Sequence, residues 1–98
     1  MLKKSYSKTG NYCRVTFKLP AEFGANTASL CGEFNQWDTQ AHPMRRLKDD
    51  SFSVTVSLPA HQSYRFRYFL DNERWVNDPA ANAYVPNEYG SEDSVVEL

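Results

Sequence analysis

The sequence has little of three features from which a function is often inferred: charge of one sign, paired cysteines and metal-ligand clusters. Its 98 residues carry 11 basic and 12 acidic side chains. A formal net charge of -1 provides no global field for concentrating nucleic acid or an anionic membrane surface. Two cysteines, Cys13 and Cys31, lack a CxxC spacing, and His42 and His61 have no partner at metal-ligand spacing. We therefore expect no metal and no cofactor.

Both thiols are expected to be ordinary core or edge cysteines, because free cysteine is among the most frequently buried residues. A disulfide between Cys13 and Cys31 is not excluded by the sequence. No segment reaches the length of a membrane span, and the basic start MLKKSYSKTG is not followed by the apolar stretch of a secretory signal. The protein is therefore expected in the cytoplasm.

A catalytic constellation is also missing. The sequence contains no GxSxG motif, glycine-rich phosphate loop or nucleotide fingerprint. The paired acids Asp49-Asp50 and Glu92-Asp93 lie in predicted turns, where solvated carboxylates are usual. A glycosidase pair would also require a cleft that a domain of this size rarely encloses. We therefore expect that the protein is not an enzyme.

What the sequence does contain is alternation of apolar and polar residues with a period of two, which is typical of strands with one buried face. The predicted strands cover residues 12–19, 27–32, 44–48, 52–58, 64–70, 75–76 and 95–98. About seven short strands with turn residues every eight to twelve positions predict an all-β fold, an immunoglobulin-like antiparallel β-sandwich. The polar residues 1–11 are expected to form a flexible N-terminal tail, and residues 12–98 a single domain.

Two tryptophans are not needed by the predicted core. In the stretch YRFRYFLDNERWVNDP at residues 64–79, a strand, a turn and a return strand would place Arg67 and Trp75 together on the outer face. Trp37 lies among polar residues in the segment EFNQWD. The alternatives for Trp37 are a lid over the core and an exposed ring that meets a ligand.

Three segments in order carry a resemblance to a known family: GEFNQW at residues 32–37, FRYFLD continuing to WVNDP at residues 66–79, and YGSEDSVV at residues 89–96. Together they resemble the glycogen-binding domain of the AMP-activated protein kinase β subunit and the isoamylase N-terminal domain, members of carbohydrate-binding module family 48. The likeness covers nearly all of residues 12–98, which would form a glycogen-binding-type carbohydrate-binding domain. It implies an immunoglobulin-like (early-set) β-sandwich that binds α-1,4-glucans.

The resemblance assigns roles to residues on two strands and a loop. Trp37 and Trp75 match two tryptophans that stack on glucose rings, and Arg67 takes the position of a lysine that contacts sugar. Replacing lysine with arginine changes the geometry of the hydrogen-bond donors.

The final loop supplies three further predicted carbohydrate-binding residues. By the same resemblance Tyr89 matches a leucine that enters the ring of sugars. Ser91 and Asp93 match a threonine and an asparagine that hydrogen-bond sugar hydroxyls. An aspartate in place of an asparagine accepts hydrogen bonds but does not donate them when ionised.

Physical chemistry agrees with this interpretation, since a glucose ring exposes a face of C–H groups and a rim of hydroxyls. Two indoles that each bury on the order of 100 Å² give a few kcal/mol before association costs, and hence roughly micromolar to millimolar affinity. The leading hypothesis is therefore non-catalytic binding of α-1,4-glucan (glycogen, starch, maltooligosaccharide or cyclodextrin) by an aromatic platform. The alternative is a protein-interaction or scaffold domain attached to a glucan-metabolising enzyme or kinase, with little sugar binding.

Overall fold

Two antiparallel sheets face each other in the computed structural model, which describes residues 2–98. The first sheet has the strand order β1-β2-β5-β4, and the second has the order β3-β6-β9-β8, with β7 also paired to β6. The strands are β1 (Leu2–Tyr6), β2 (Tyr12–Leu19), β3 (Ala28–Gly32), β4 (Arg45–Arg46), β5 (Phe52–Pro59), β6 (Ser63–Leu70), β7 (Arg74–Val76), β8 (Ala83–Pro86) and β9 (Glu92–Glu97). The predicted all-β sandwich is confirmed.

The core lies between the sheets and follows the alternation seen in the sequence. In β2 and in β6 every second residue is buried. Phe17 of β2 meets Phe66 of β6 edge to face, with ring centroids 5.0 Å apart. Cys13 and Cys31 are buried free thiols, as expected. Burial, followed by the nearby Asp38 carboxylate, raises the pKa of the Cys31 thiol to about 11.

The structure contains two strands that the sequence did not predict. Strand β1 lies in the segment predicted to be a flexible tail, although Met1 is outside the described residues. It pairs with β2 through the register Leu2↔Phe17 to Tyr6↔Cys13, and Leu2 packs against the core. Its composition is misleading because an edge strand is held by backbone pairing, and lysine is common on such edges. Strand β8 is likewise an edge strand in residues predicted to be irregular.

Charge is divided unevenly between the sheets. Segments 2–19 and 45–59, which form the first sheet and its turns, contain eight basic and two acidic residues, an excess of six positive charges. The remaining segments contain three basic and ten acidic residues, an excess of seven negative charges. The net charge of -1 therefore conceals a basic first sheet, whose charge is balanced by acidic residues elsewhere in the chain, most of them outside the strands of the second sheet.

No helix within residues 2–98 is long and apolar enough to cross a bilayer. In the described part of the chain, the helical structure consists of two single-turn 3₁₀ segments, Ala21–Phe23 and Glu33–Asn35. The second of these follows β3 directly, and it begins the loop that carries Trp37.

Candidate functional site

An open cavity of about 1070 Å³ lies on the outer face of the second sheet, on the side away from the core. Five of the six predicted site residues line it: Trp37, Arg67, Trp75, Tyr89 and Asp93. The sixth, Ser91, is exposed in the adjacent loop but is not part of the lining.

The floor of the cavity is formed by the β6–β7 hairpin. The turn that the sequence predicted is made by Asp71 and Asn72, which adopt left-handed backbone conformations with φ of 52° and 58°. The turn places Trp75 directly opposite Phe69, and the two ring centroids lie 4.6 Å apart. Trp75 is thus supported by Phe69 and is still 39% exposed. A ring fixed in this way loses little entropy when a ligand covers it.

Arg67 lies where β6 changes partner, since residues 63–66 pair with β9 and residues 68–70 pair with β7. Its Nε atom is buried and has no hydrogen-bond partner among residues 2–98. Leaving a buried donor unpaired costs about 1–3 kcal/mol, so such groups are rare in folded proteins. A ligand oxygen in the cavity is the kind of group that would satisfy this donor.

The wall opposite the hairpin is the loop after β3. Gly32 is needed there for close packing, because a Cβ atom would lie 2.6 Å from the Arg65 carbonyl oxygen and 2.7 Å from the Phe34 ring. Phe34 packs against the core, and the Trp37 backbone N–H donates to the Gly32 carbonyl at 2.9 Å. Trp37 is half-buried and lines the cavity, so its ring is accessible to a ligand from that side.

The second wall is the loop between β8 and β9, which is organised by Asn87. The Asn87 Oδ1 accepts the backbone N–H of Tyr89 at 3.0 Å and that of Ser91 at 3.1 Å. Tyr89 itself is 85% exposed. The loop is therefore held at its base while the Tyr89 ring projects into solvent at the edge of the cavity.

Asp93 anchors this wall to the sheet. It is nearly buried, and its Oδ1 accepts the Asn87 side-chain amide at 3.1 Å. Its Oδ2 forms an ion pair with Arg65 at 3.5 Å. Both oxygens thus already have partners within the protein, and they hold Asn87 and Arg65 in place beside the cavity.

Behind the cavity, a buried polar network joins β7 to β9 across the gap at Arg67. The Tyr68 hydroxyl donates to Asp78 Oδ2 at 2.8 Å, and the Asp78 N–H donates to Ser94 Oγ at 2.9 Å. The Ser94 hydroxyl donates to Asn77 Oδ1, and Asn77 Nδ2 donates to the Glu92 carbonyl. Burial, then the Asp78 charge and hydrogen bond, raise the pKa of Tyr68 well above its usual value. Tyr68 is therefore a neutral donor at physiological pH.

Four lining residues with polar side chains were not predicted: Glu33, Arg65, Asn87 and Glu88. One signal was available for Arg65, which lies two residues before Arg67 on the same strand and so faces the same side. Glu33 accepts the Arg65 backbone N–H at 2.7 Å, a contact between segments that no local pattern reveals. With both signs of charge present, the lining is suited to a neutral ligand rich in hydroxyls.

Within the described chain, no group of three or more His, Cys, Asp or Glu side chains has an arrangement that could hold a metal ion. The cavity combines two accessible indoles and a phenol with guanidinium, carboxylate and amide groups. Such a surface can cover an apolar ring face and hydrogen-bond the polar groups around it.

One comparison with known proteins gives a match. The family model for carbohydrate-binding module 48 (isoamylase N-terminal domain) matches residues 5–81, which is most of the chain. The matched region contains Trp37, Arg67 and Trp75, whereas the loop with Tyr89 and Asp93 lies beyond its end. No curated protein matches the sequence.

Proposed function

The chain belongs to the carbohydrate-binding module 48 family, and from this premise we propose that it is a non-catalytic module that binds α-1,4-glucan at the cavity of the second sheet. The family is one of carbohydrate-binding domains without catalytic activity of their own. The observation that carries the proposal is that Trp37, from the loop after β3, and Trp75, from β7, line one open cavity.

The proposed contacts follow from the chemistry of a glucan chain. Trp37 and Trp75 stack on the C–H faces of two glucose units, and Tyr89 covers a neighbouring unit at the edge. The unpartnered Nε of Arg67 donates to a sugar oxygen, which relieves the cost of its burial. A volume of about 1070 Å³ has room for several glucose units rather than one. Glycogen, starch, maltooligosaccharides and cyclodextrins all present such a stretch of chain.

Titration of the intrinsic tryptophan fluorescence with β-cyclodextrin and with maltoheptaose tests this function. We expect saturable binding with a Kd of roughly micromolar to millimolar, and at least a tenfold loss in Trp37→Ala and in Trp75→Ala. Tyr12→Ala is the matched control, because Tyr12 is an aromatic residue, 54% exposed, on the first sheet. An absent signal, or one that survives both tryptophan substitutions, would exclude the proposed site.

A second function, docking on a protein, is favoured by the charge of the first sheet. Its outer face carries Lys3, Arg14, Lys18 and Arg45 among serine and threonine side chains. A flat basic face suits an acidic protein surface, such as one on a glucan-metabolising enzyme or a kinase subunit. Because this face lies opposite the cavity, docking leaves the cavity open to glucan.

The docking function can be tested with labelled poly-L-glutamate as a defined acidic polypeptide. We expect salt-sensitive binding by fluorescence anisotropy, and its loss in the double variant Arg14→Glu, Arg45→Glu. The control, Lys8→Glu with Lys48→Glu, makes the same change in net charge at exposed positions in turns. If both double variants lost the same amount of poly-L-glutamate binding, the binding would depend only on net charge, and this would argue against a docking face.

A further inference from the structure

The Asn35 side chain, in the loop that carries Trp37, makes hydrogen bonds whose donor and acceptor atoms can be assigned. Asn35 is buried, its Oδ1 accepts the Gly32 N–H at 3.0 Å, and its Nδ2 donates to the Leu30 carbonyl at 3.0 Å. A backbone N–H can only donate and a carbonyl can only accept, so these two contacts fix which end of the Asn35 amide is nitrogen.

This assignment determines the state of His42. The Asn35 Nδ2 lies 2.8 Å from the His42 Nδ1. Since the amide nitrogen has only hydrogens to offer, this contact is a hydrogen bond when the His42 Nδ1 presents its lone pair, as in the neutral tautomer that carries its proton on Nε2. A protonated imidazole would place two donors against each other at this distance.

The same bond supports the backbone that presents Trp37. Gln36 and Trp37 both have left-handed backbone conformations, with φ of 54° and 58°, which are unfavourable for residues other than glycine unless the surroundings hold them. The Asn35 carbonyl accepts the Asp38 N–H at 3.1 Å, and the His42 carbonyl accepts the Leu30 N–H at 2.9 Å. Asn35 and His42 thus join the two ends of this loop to each other and to β3.

The charged and titratable groups on the elements next to His42 make their own contacts. On its own loop lies Asp38, whose Oδ1 accepts the Gln40 N–H, and on β3 lies the Cys31 thiol, which donates to the Asp38 carbonyl. From the 3₁₀ turn, the Phe34 ring meets the imidazole edge to face at 6.2 Å. Within residues 2–98 no ion pair joins His42 to a carboxylate. No carboxylate therefore compensates for a proton on His42 through a direct contact.

We propose that Asn35 and His42 are positioning residues for Trp37, and that protonation of His42 releases the loop and weakens glucan binding. The effect on binding rests on the proposed function, whereas the effect on the loop does not. Loss of one hydrogen bond of this kind corresponds to an affinity about threefold to tenfold lower when His42 is protonated than when it is neutral.

The loop itself can be tested without sugar. In ¹H–¹⁵N spectra recorded from pH 7.5 to 5.5, the range in which histidine titrates, we expect the Trp37 indole resonance to move while the Trp75 indole stays in place. Substitution of each tryptophan by phenylalanine assigns the two signals. Equal movement of both indoles, or of neither, would overturn the proposal.

The two histidines of the chain provide matched variants for the binding test. His42→Asn sets an amide oxygen close to where Nδ1 lies, so it keeps an acceptor for Asn35 but cannot titrate. We expect the affinity of this variant for β-cyclodextrin to be the same at pH 5.5 as at pH 7.5. His61→Asn changes an exposed turn residue with φ of 65°, a conformation that asparagine tolerates, and should keep the wild-type pH dependence.

The outcomes separate the two proposals. A pH dependence that persists in His42→Asn, or that disappears in His61→Asn, would overturn the role of His42 while glucan binding stands. Absence of glucan binding at both pH values would contradict the proposed function. The role of His42 in the loop would then be tested by the indole resonances alone.

Discussion

The inner faces of the two sheets follow the same rule, whereas their outer faces differ in kind. In β2 and β6 every second residue is buried. On the outside, the first sheet has Thr16 bonded to Thr55, with cations around them. The outer face of the second sheet instead has Trp75 on Phe69 and the buried, unpartnered Nε of Arg67. The requirements of stability explain the Thr16–Thr55 face of the first sheet. They do not explain an exposed indole beside a buried unpartnered donor on the second sheet, and these two features are consistent with a ligand-binding surface.

A second difference lies within the sandwich. The first sheet contributes apolar side chains to the core, such as Val15, Phe17 and Leu19, whereas the second also buries Asp78 and Ser94. These polar groups join β7 to β9 and so support the cavity from behind. The sheet that bears the cavity therefore has hydrogen bonds between its segments at Asp78 and Ser94, whereas Ser51, the buried polar residue next to β5, bonds Asp49 within its own turn.

The largest expected difference between the two sheets is in the free energy of unfolding that is lost when a hydrogen-bonded pair is broken in each. Asp78→Ala leaves the buried Tyr68 hydroxyl and the Ala80 N–H without their acceptor, which should lower the free energy of unfolding by about 4 kcal/mol. Thr16→Val removes the exposed hydrogen bond to Thr55 and should change the free energy of unfolding by no more than about 0.5 kcal/mol. Urea denaturation measures both, and similar losses would show that the two sheets do not differ in this respect.

Two glycines sharpen the comparison, because each is needed for a different reason. Gly32→Ala brings a Cβ against backbone and the Phe34 ring, and should cost about 2 kcal/mol and reduce binding through Trp37. Gly10→Ala, in the β1–β2 turn, meets no atom within 4 Å but has φ of 77°, and should cost about 1 kcal/mol with binding intact. Thermal unfolding and β-cyclodextrin titration check both. If Gly32→Ala kept the wild-type affinity for glucan, Gly32 would not be needed to shape the cavity.

Arginine on the two outer faces should behave differently. Arg67→Met removes an unpartnered buried donor, so stability should hold or rise while affinity for maltoheptaose falls about tenfold, or about 1.4 kcal/mol. Arg14→Met on the first sheet should leave affinity unchanged. A drop in the stability of Arg67→Met with no change in affinity would reverse the interpretation of this residue as one kept for ligand.

The smallest expected effect is the pH dependence of stability that comes from two aspartates in turns, Asp71 and Asp49. Hydrogen bonds from the Thr27 and Asn26 amides lower the pKa of Asp71, and bonds from Ser51 lower that of Asp49. A carboxyl group with a lowered folded-state pKa contributes stability above its unfolded value near 3.8, and that stability is lost as the pH falls through the folded value. In a carboxyl NMR titration, protonation of Asp71 should shift the distant Thr27 amide, whereas protonation of Asp49 should shift only the local Ser51. Titration of either group at or above the ordinary value would contradict this.

Sequence reasoning succeeded where one strand contains its own signal. Strands β2 and β6 alternate strictly, and Asp71-Asn72 is a turn that local chemistry favours, so the hairpin under Trp75 was predictable. Strand β1 was missed because Leu2 is followed by three polar residues, Lys3, Lys4 and Ser5, and because the strand is held by pairing with β2. Local pattern does not report that kind of contact.

The cavity was predictable to a similar degree. Trp37 and Trp75 were recognised because exposed indoles in polar surroundings are unusual. Asn87 was missed although its bonds to Tyr89, Ser91 and Asp93 are local. Arg65 was missed because its importance depends on Asp93, which lies 28 residues further along the chain on another strand. Contacts between distant segments arise only when the chain folds, so no window of sequence contains them.

The central claim is that the outer face of the second sheet, and not that of the first, binds α-glucan. Chemical-shift mapping with maltoheptaose in ¹H–¹⁵N spectra tests it most directly. We predict saturable shifts of the Trp37 and Trp75 indoles and of the Arg67 amide, with Tyr12, Arg14 and Thr16 unchanged. Shifts confined to the first sheet, or none at concentrations up to the millimolar range, would contradict the account.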